Sequence, residues 1–283
     1  MTVPTITAEY EQQIAAWHAK MEASLRGENG WLKLAGLFWL HEGDNTVGSA
    51  PDSDILLPAH SAPAQVGIIH FENNAATFRP ATDVPVLIDG ASPVGDTPLK
   101  PDTAEGGASI LTLGSLRFYM IQRVDQYGIR IIDSEHAALQ TFGGRKWYPL
   151  DPAFHVEAKF TPHAEVRTLS VVNSVGLTVP MENPGYVEFT LADQVYCLEA
   201  FDSAPGELWF IFKDRTNGET TYGAGRFLTA PLDAENRVDL NFNKSYSPPC
   251  AFTEFATCPF PPRENHLPIR IEAGELVESS HNN

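Results

Sequence analysis

Three carboxylates, Glu188, Glu199 and Asp239, and two cations, Lys213 and Arg226, lie in strand-like segments between Gly185 and Lys244. Paired carboxylates beside a cation can activate water and steady an oxyanion, which is the chemistry of hydrolysis without a nucleotide cofactor. Alternation along the strands gives these residues a common setting. On "RVDLNFNK", Val238, Leu240 and Phe242 share one face while Asp239, Asn241 and Asn243 share the other; on "YVEFTL", Val187, Phe189 and Leu191 oppose Tyr186, Glu188 and Thr190. One face is apolar and the other carries Glu188, Lys213, Asp239, Asn241 and Asn243, with Glu199 and Arg226 as further candidates. Such a face is either the solvent side of a half-buried sheet or a polar lumen holding a small polar or anionic molecule. Aromatics Tyr186, Trp209 and Tyr222 among the charges, and Gly223 and Gly225 beside Arg226, favour the lumen.

The elements that must position these groups are short strands. "YVEFTL", "QVYCLEAFD", "ELWFIFKD", "TYGAGRFLTA" and "RVDLNFNK" are joined by the turns "AD", "SAPG", "RTNGET" and "PLDAEN", so an antiparallel meander is expected. Upstream strands near "FHVEAKF" and "RTLSVVNSVGLTVP" extend it to a barrel or a strongly curved sandwich. Strands are also expected at 67–71, 85–90, 109–114, 116–123 and 127–133. Before them, Tyr10, Ile14, Trp17, Met21 and Leu25 recur at intervals of three and four on a helix that Thr7 can cap. The fold class is therefore mainly β, with an N-terminal helix (1–30), a β-sandwich (31–135), a connector (136–152) and a β-barrel-like domain (153–283).

Two irregular stretches carry further candidates. In the connector, "GGRKWYP" can set Arg145 and glycine amides beside an anionic ligand, with Trp147 as part of that site or as a packing anchor of an interdomain turn. Near the end, "SPPCAFTEFATCPFPPRENHLP" holds Cys250 and Cys258. Seven intervening residues are too many for a C-x-x-C redox motif, and no histidines accompany them at zinc spacing. The prolines fix φ over several residues and suit a rigid strap with Phe252, Phe255 and Phe260 as plugs, its thiols buried with raised pKa values; a catalytic thiol and a disulfide are the alternatives.

Composition limits the partners. A formal charge of −17, spread along 283 residues, repels phosphate backbones and anionic lipid, so neither nucleic acid nor membrane is expected as a partner. The amino-terminal residues lack a basic segment followed by an apolar one, and no stretch has the roughly 20 apolar residues that cross a bilayer, so a soluble, cytoplasmic protein is expected. Walker, dinucleotide and H-E-x-x-H patterns are missing, and no cofactor or metal is expected.

The run "NTVGSAPDSDILLPAHSAPAQVGIIHF", with "VLIDG" and "LTLGSLRFYMIQR", resembles a forkhead-associated (FHA) β-sandwich over residues 44–123. That family binds phosphothreonine through an arginine after the first glycine and a Ser-x-x-His loop. Here Ser49 stands in the arginine's place and Ser61 has no histidine three residues on, so a scaffold without phosphothreonine peptide binding is expected. The motifs "GWLKLAGLFWLHEGDNTVGS", "GGRKWYP", "LEAFDSAPGELWFIFKDRTNGETTYGAGRFL" and "VDLNFNKSYSPPCAFTEFATCPFPPRENHLPIRIEAGE" resemble domain of unknown function 1684 over most of residues 30–275. The resemblance implies no reaction. It points to Arg145, Trp147, Glu188, Glu199, Lys213, Asp214, Tyr222, Arg226, Asp239, Asn241, Tyr246, Cys250, Cys258, Asn265 and Glu275. The sequence thus leads to a small-molecule site with Glu188, Glu199, Lys213 and Asp239 as candidate catalytic groups and Arg145, Trp147, Tyr222, Arg226 and Asn241 as candidate binding groups. A non-catalytic binding or scaffold module is the alternative.

Overall fold

The computed structural model describes residues 6–277. They divide into two units: Ser24–Phe142 with Thr253–Ala256, and the helix up to Ala23 with Gly143–Phe252 and the chain from Thr257 onward. The division at Phe142 falls inside the expected connector, and the tip of the cysteine strap clusters with the first of these units.

Helix α1 (Ala8–Arg26) begins where the Tyr10 amide donates to Thr7 Oγ1 at 3.2 Å, the cap that the sequence offers. Its stripe is buried as the periodicity requires: Ile14 is covered, and Tyr10 and Trp17 reach Asn241 and Trp147 of the barrel unit.

The first unit is a sandwich of ten strands: β1 (Leu34–Trp39), β2 (Gly43–Gly48), β3 (Ile55–Leu56), β4 (Gly67–Glu72), β5 (Ala75–Pro80), β6 (Leu87–Ile88), β7 (Thr97–Leu99), β8 (Leu111–Leu113), β9 (Leu116–Arg123) and β10 (Gln126–Asp133). They form two sheets, ordered β1-β10-β9-β8-β6 and β3-β2-β4-β5-β7, around a shared core that includes Val47, Ile69, Phe78, Leu111, Phe118 and Ile131. Phe255, on the strap tip, lines a shallow apolar groove of this unit with Phe38, Leu56 and Pro58.

In the second unit, β11 (Lys146–Trp147) pairs with β18 (Glu275–Leu276). The remaining strands, β12 (His155–Val172), β13 (Thr178–Leu191), β14 (Gln194–Asp202), β15 (Glu207–Phe212), β16 (Arg226–Pro231) and β17 (Arg237–Asn241), make one sheet ordered β16-β15-β14-β13-β12-β17. A bridge between Leu232 and Val238 brings its edges together, so the sheet is a nearly closed barrel. The expected strand "TYGAGRFLTA" starts only at Arg226, and "RVDLNFNK" ends as strand at Asn241, where the Asn241 side chain caps a 3₁₀ turn over Phe242–Lys244.

Register decides which face is inside. The β13–β14 hairpin turns through two residues, Ala192 and Asp193, both at positive φ (50° and 59°), a geometry whose twist matches that of the flanking strands. With Leu191 opposite Gln194, Val187, Phe189 and Leu198 fall on one side, where they pack with Phe210, Phe212, Leu228, Val238, Leu240 and Phe242. The barrel interior is therefore apolar, and the expected polar lumen is corrected: Glu188 and Asp239 lie on the exposed face. Alternation had separated the two faces rightly, but burying so many aromatics outweighs any gain from enclosing charges, which would each carry a desolvation cost.

A charged pair is nonetheless taken fully inside, Arg226–Asp214. Both side chains are completely covered, with Nη2 of Arg226 donating to Asp214 at 2.6 Å and to the Ile271 carbonyl at 2.9 Å, Nη1 donating to the Ala273 carbonyl, and the Phe212 ring beneath. Asp214 also accepts from the Thr216 amide and hydroxyl and from the Ile271 amide. Arg226 thus fastens the C-terminal segment to the barrel, which corrects its expected role as a ligand-binding cation. Asp214→Ala strands the guanidinium without its counter-charge and should destabilise the barrel unit by about 3–5 kcal/mol, more than the double change with Arg226→Met; denaturant unfolding of the three proteins at neutral pH measures both.

Candidate functional site

Three segments distant in sequence meet at Arg145. It precedes β11, whose Trp147 is paired with Glu275 of β18; Glu275 in turn is held by its amide bonding to the Ser245 carbonyl. Gly274 makes the approach possible. It sits at φ 81°, and a Cβ there would stand 2.5 Å from the Ser245 carbonyl oxygen. Helix α1 closes the third side: Glu22 accepts from the Arg145 amide at 2.9 Å, and His18, one turn earlier, stacks on Trp147 at 3.9 Å.

The electrostatics of this cluster are unusual. The Arg145 side chain is wholly covered, and Nη1 donates to Glu275 Oε2, which also accepts from the Ser247 amide at 2.7 Å. Nε and Nη2 of Arg145 have no hydrogen-bond partner among the described residues, nor has His18 Nε2. The Ser247 hydroxyl lies near enough to Glu275 to favour its charged form yet outside hydrogen-bond geometry. The Phe252 ring covers the guanidinium at 4.7 Å, and Trp17 lies 5.1 Å from Trp147 and 6.4 Å from Tyr246. Burial dominates all three titrating groups. It pushes Glu275 up to about 7 in spite of Arg145, draws Arg145 down in spite of Glu275, and lowers His18 to about 4. A carboxyl group that exchanges its proton near neutrality beside a guanidinium with unpartnered N–H groups can both hold an anion and move a proton.

The other expected site residues are dispersed. Glu188 lies opposite Lys159 and Cys197 on the outer face of the barrel. Glu199 is half-buried; its backbone is bonded on both sides by the Asn265 amide group, and its carboxylate lies 3.4 Å from Nε2 of His163. Asp239 pairs with His155, which holds its carboxyl below the usual range, and Tyr10 stacks on that imidazole. Lys213 is tied through its backbone to Asn265 and Leu267. Asn241 accepts from Tyr10 and Asn243 and serves to dock the helix. These positions do not converge, so the expected set of catalytic groups is not one site. Of the expected binding residues, Arg145 and Trp147 are brought together, joined by Tyr246 and Glu275, which the family resemblance indicated, and by His18, which no motif marked.

Tyr222 belongs to the strap. Its hydroxyl donates to the Cys250 carbonyl at 2.9 Å, and burial raises its pKa. The Cys250 amide donates to Cys258 Sγ at 3.2 Å, and all three cysteines are free thiols. The expected rise in the Cys250 pKa is corrected: the Cys258 thiol, helped by Tyr222, lowers it against the effect of burial. Gly225 does carry the close backbone approach expected of it, for a Cβ there, at φ 113°, would stand 2.8 Å from the Phe212 carbonyl oxygen and 2.5 Å from Pro261, whereas Gly223 meets only Gly218 at ordinary contact distance. Among the described residues no group of three or more His, Cys, Asp or Glu side chains is placed to hold a metal, and no helix is long and apolar enough to cross a membrane.

Residues 140–276 match the model of a family described as protein of unknown function (DUF1684), a shorter stretch than the 30–275 of the sequence resemblance. The match covers the barrel with β11, the strap and β18, and so includes Arg145, Trp147, Tyr246, Ser247 and Glu275. An uncharacterised protein of Haloarcula marismortui, solved by NMR, is similar at 28% identity over 51% of this chain and 82% of its own, with a TM-score of 0.43. Two FHA domains are also similar. One, from a study of phosphothreonine-dependent FHA interactions, has 18% identity over 34% of this chain and 92% of its own (TM-score 0.23); the other, the FhaA domain in complex with the intracellular domain of another protein, has 18% over 34% and 94% (TM-score 0.24). No curated protein matches the chain.

The Glu275 proton has a measurable consequence. The folded chain keeps it to about pH 7, and the unfolded chain releases it near pH 4.5. Its stabilising contribution is full below pH 4.5 and lost as pH rises to 7. The stability of the wild type relative to Glu275→Gln should therefore fall by on the order of 3 kcal/mol across that window, measured by urea unfolding at a series of pH values.

Proposed function

We propose that the barrel unit binds a small anionic molecule at Arg145 and that Glu275 exchanges a proton with it, in a hydrolytic reaction that uses no nucleotide cofactor. The observation that carries this reading is a fully covered guanidinium, two of whose nitrogens have no partner among the described residues, beside a carboxyl that titrates near neutrality. Leaving a buried donor unpaired costs about 1–3 kcal/mol, a cost that an anion bound there removes. His18 stays neutral at physiological pH and adds a polar edge without a competing charge. Phe252 supplies the cover that keeps water from the pair and strengthens its electrostatics.

A non-catalytic reading has its own support, because Nη1 of Arg145 and the Ser247 amide already satisfy one Glu275 oxygen within the protein. A thermal-shift screen of anionic metabolites on wild type and Arg145→Lys separates the two. A stabilising ligand whose effect falls at least tenfold in apparent affinity in the variant, followed by its turnover, supports the enzyme. A binder without turnover supports a binding module, and no binder together with a large drop in the variant's melting temperature supports a structural network.

The sandwich serves in this reading as scaffold, not as a phosphopeptide reader. Ser49, in the position of the family's arginine, spends its hydroxyl on the Ala62 carbonyl at 2.9 Å. A cleft of about 250 Å³ on this unit is lined by Thr46, Asp52, Ser53 and Arg79, but Arg79 is bound through Nε and Nη2 to Asp96, both at 2.6 Å. A phosphate would meet the Asp52 carboxylate and a cation already paired. Titration of a phosphothreonine peptide library against the full chain should give no sequence-dependent binding in the micromolar range; such binding would remove the scaffold reading.

A further inference from the structure

The way Arg145 is used narrows the class of anion, an inference that rests on reading Arg145 as the anion-binding group. A guanidinium has a side-on edge, formed by Nε–H and the neighbouring Nη2–H, whose parallel donors match the two oxygens of a carboxylate. Arg79 of this same chain uses that edge to grip Asp96. In Arg145 it is Nη1 that goes to Glu275, and it is Nε and Nη2 that have no partner among the described residues. The edge suited to a carboxylate is thus the unoccupied one, while Phe252 takes the flat face.

The surrounding charges choose between singly and doubly charged ligands. The groups acting on Arg145 are Glu275, Glu22 and Tyr246, and each is acidic. Arg226, which holds the Ala273 carbonyl two residues before Glu275, is neutralised by Asp214. With Glu275 protonated, the charge of Arg145 is free to balance one added negative charge, and a second would have no partner in a covered site. A phosphoryl dianion is disfavoured on that count. Flat, apolar rings gather around the guanidinium: Trp17, Trp147, Tyr246 and Phe252, with the neutral imidazole of His18 stacked on Trp147. Flat rings favour stacking with a planar body.

We propose that the site takes a monocarboxylate with a planar apolar body, its carboxylate held side-on by Nε and Nη2 of Arg145 and its body among Trp17, Trp147, Tyr246 and Phe252. Placing that charge next to Glu275 favours the protonated carboxyl, so binding takes up a proton and tightens as pH falls toward 6. The groups that face Glu275 are Arg145 and Ser247. Around them stand Tyr246 on the strap segment and Glu22 and His18 on α1.

Isothermal titration of the full chain with benzoate, benzamide, inorganic phosphate and sulfate, in two buffers of different ionisation enthalpy, tests this. Benzoate should bind saturably, at least tenfold more tightly than the uncharged benzamide or either inorganic anion, with net proton uptake at pH 7 that vanishes in Glu275→Gln. Arg145→Lys keeps the charge and loses the fork, and should weaken benzoate at least tenfold. Should that variant fail to fold, proton uptake by the wild type and its loss in Glu275→Gln decide the matter. Binding of phosphate in preference to benzoate, with loss in Arg145→Lys, would overturn the carboxylate class while leaving the anion site standing. Absence of binding by all four at 10 mM, or benzoate binding that Arg145→Lys leaves unchanged, would overturn both.

Discussion

The buried Arg226–Asp214 pair is the fastening on which the barrel unit depends. Everything that makes the Arg145 cluster lies on chain that has no long strand to hold it: β11 and β18 have two residues each, and the segment between Leu267 and Gly274 is irregular. Arg226 supplies what a sheet would otherwise supply, by binding the carbonyls of Ile271 and Ala273 while Asp214 takes the Ile271 amide. A charged pair is expensive to bury, and replacing one with hydrophobic residues is often neutral for stability. What it gives here is direction. The planar guanidinium fixes two carbonyls at defined angles, and Glu275 follows two residues later.

The same economy appears at Asn265. Strands β14 and β15 pair directly only at Phe201–Trp209 and Asp202–Leu208, and beyond them the sheet opens. The Asn265 amide group fills the opening, donating to the Glu199 and Ile211 carbonyls and accepting from the Glu199 amide. Single buried side chains thus replace missing ladder rungs in a barrel otherwise closed by ordinary antiparallel pairing.

This explains what could and could not be read from the sequence. Alternation along "YVEFTL" and the periodicity of α1 report burial against one neighbour, and both were legible. The turn in "GGRKWYP" was legible too, and Gly144 stands there at a φ of 95°. Alternation cannot say which face is enclosed, and that ambiguity put Glu188 and Asp239 in a lumen they do not line. Arg226 was misread for a different reason: a buried structural arginine and a ligand-binding one have the same letter, and only the carbonyls of Ile271 and Ala273, more than forty residues away, distinguish them. Glu275 and His18 join Arg145 only through tertiary contacts, so nothing local to either could reveal the cluster.

The division of the chain carries a consequence for its synthesis. The barrel unit is interrupted: its helix is made before Ser24–Phe142, and the strands that cover the helix are made after it. During translation at roughly 5–20 residues per second, the apolar stripe of Tyr10, Ile14 and Trp17 must wait on the order of tens of seconds, while the sandwich strands emerge, before Trp147 and Asn241 exist to receive it. The charged residues interspersed on that helix, Glu9, Glu11, Lys20 and Glu22, keep the waiting segment dispersed in water. An inserted domain here sets a delay as well as a shape, and an element made before the sandwich finds its place only after it.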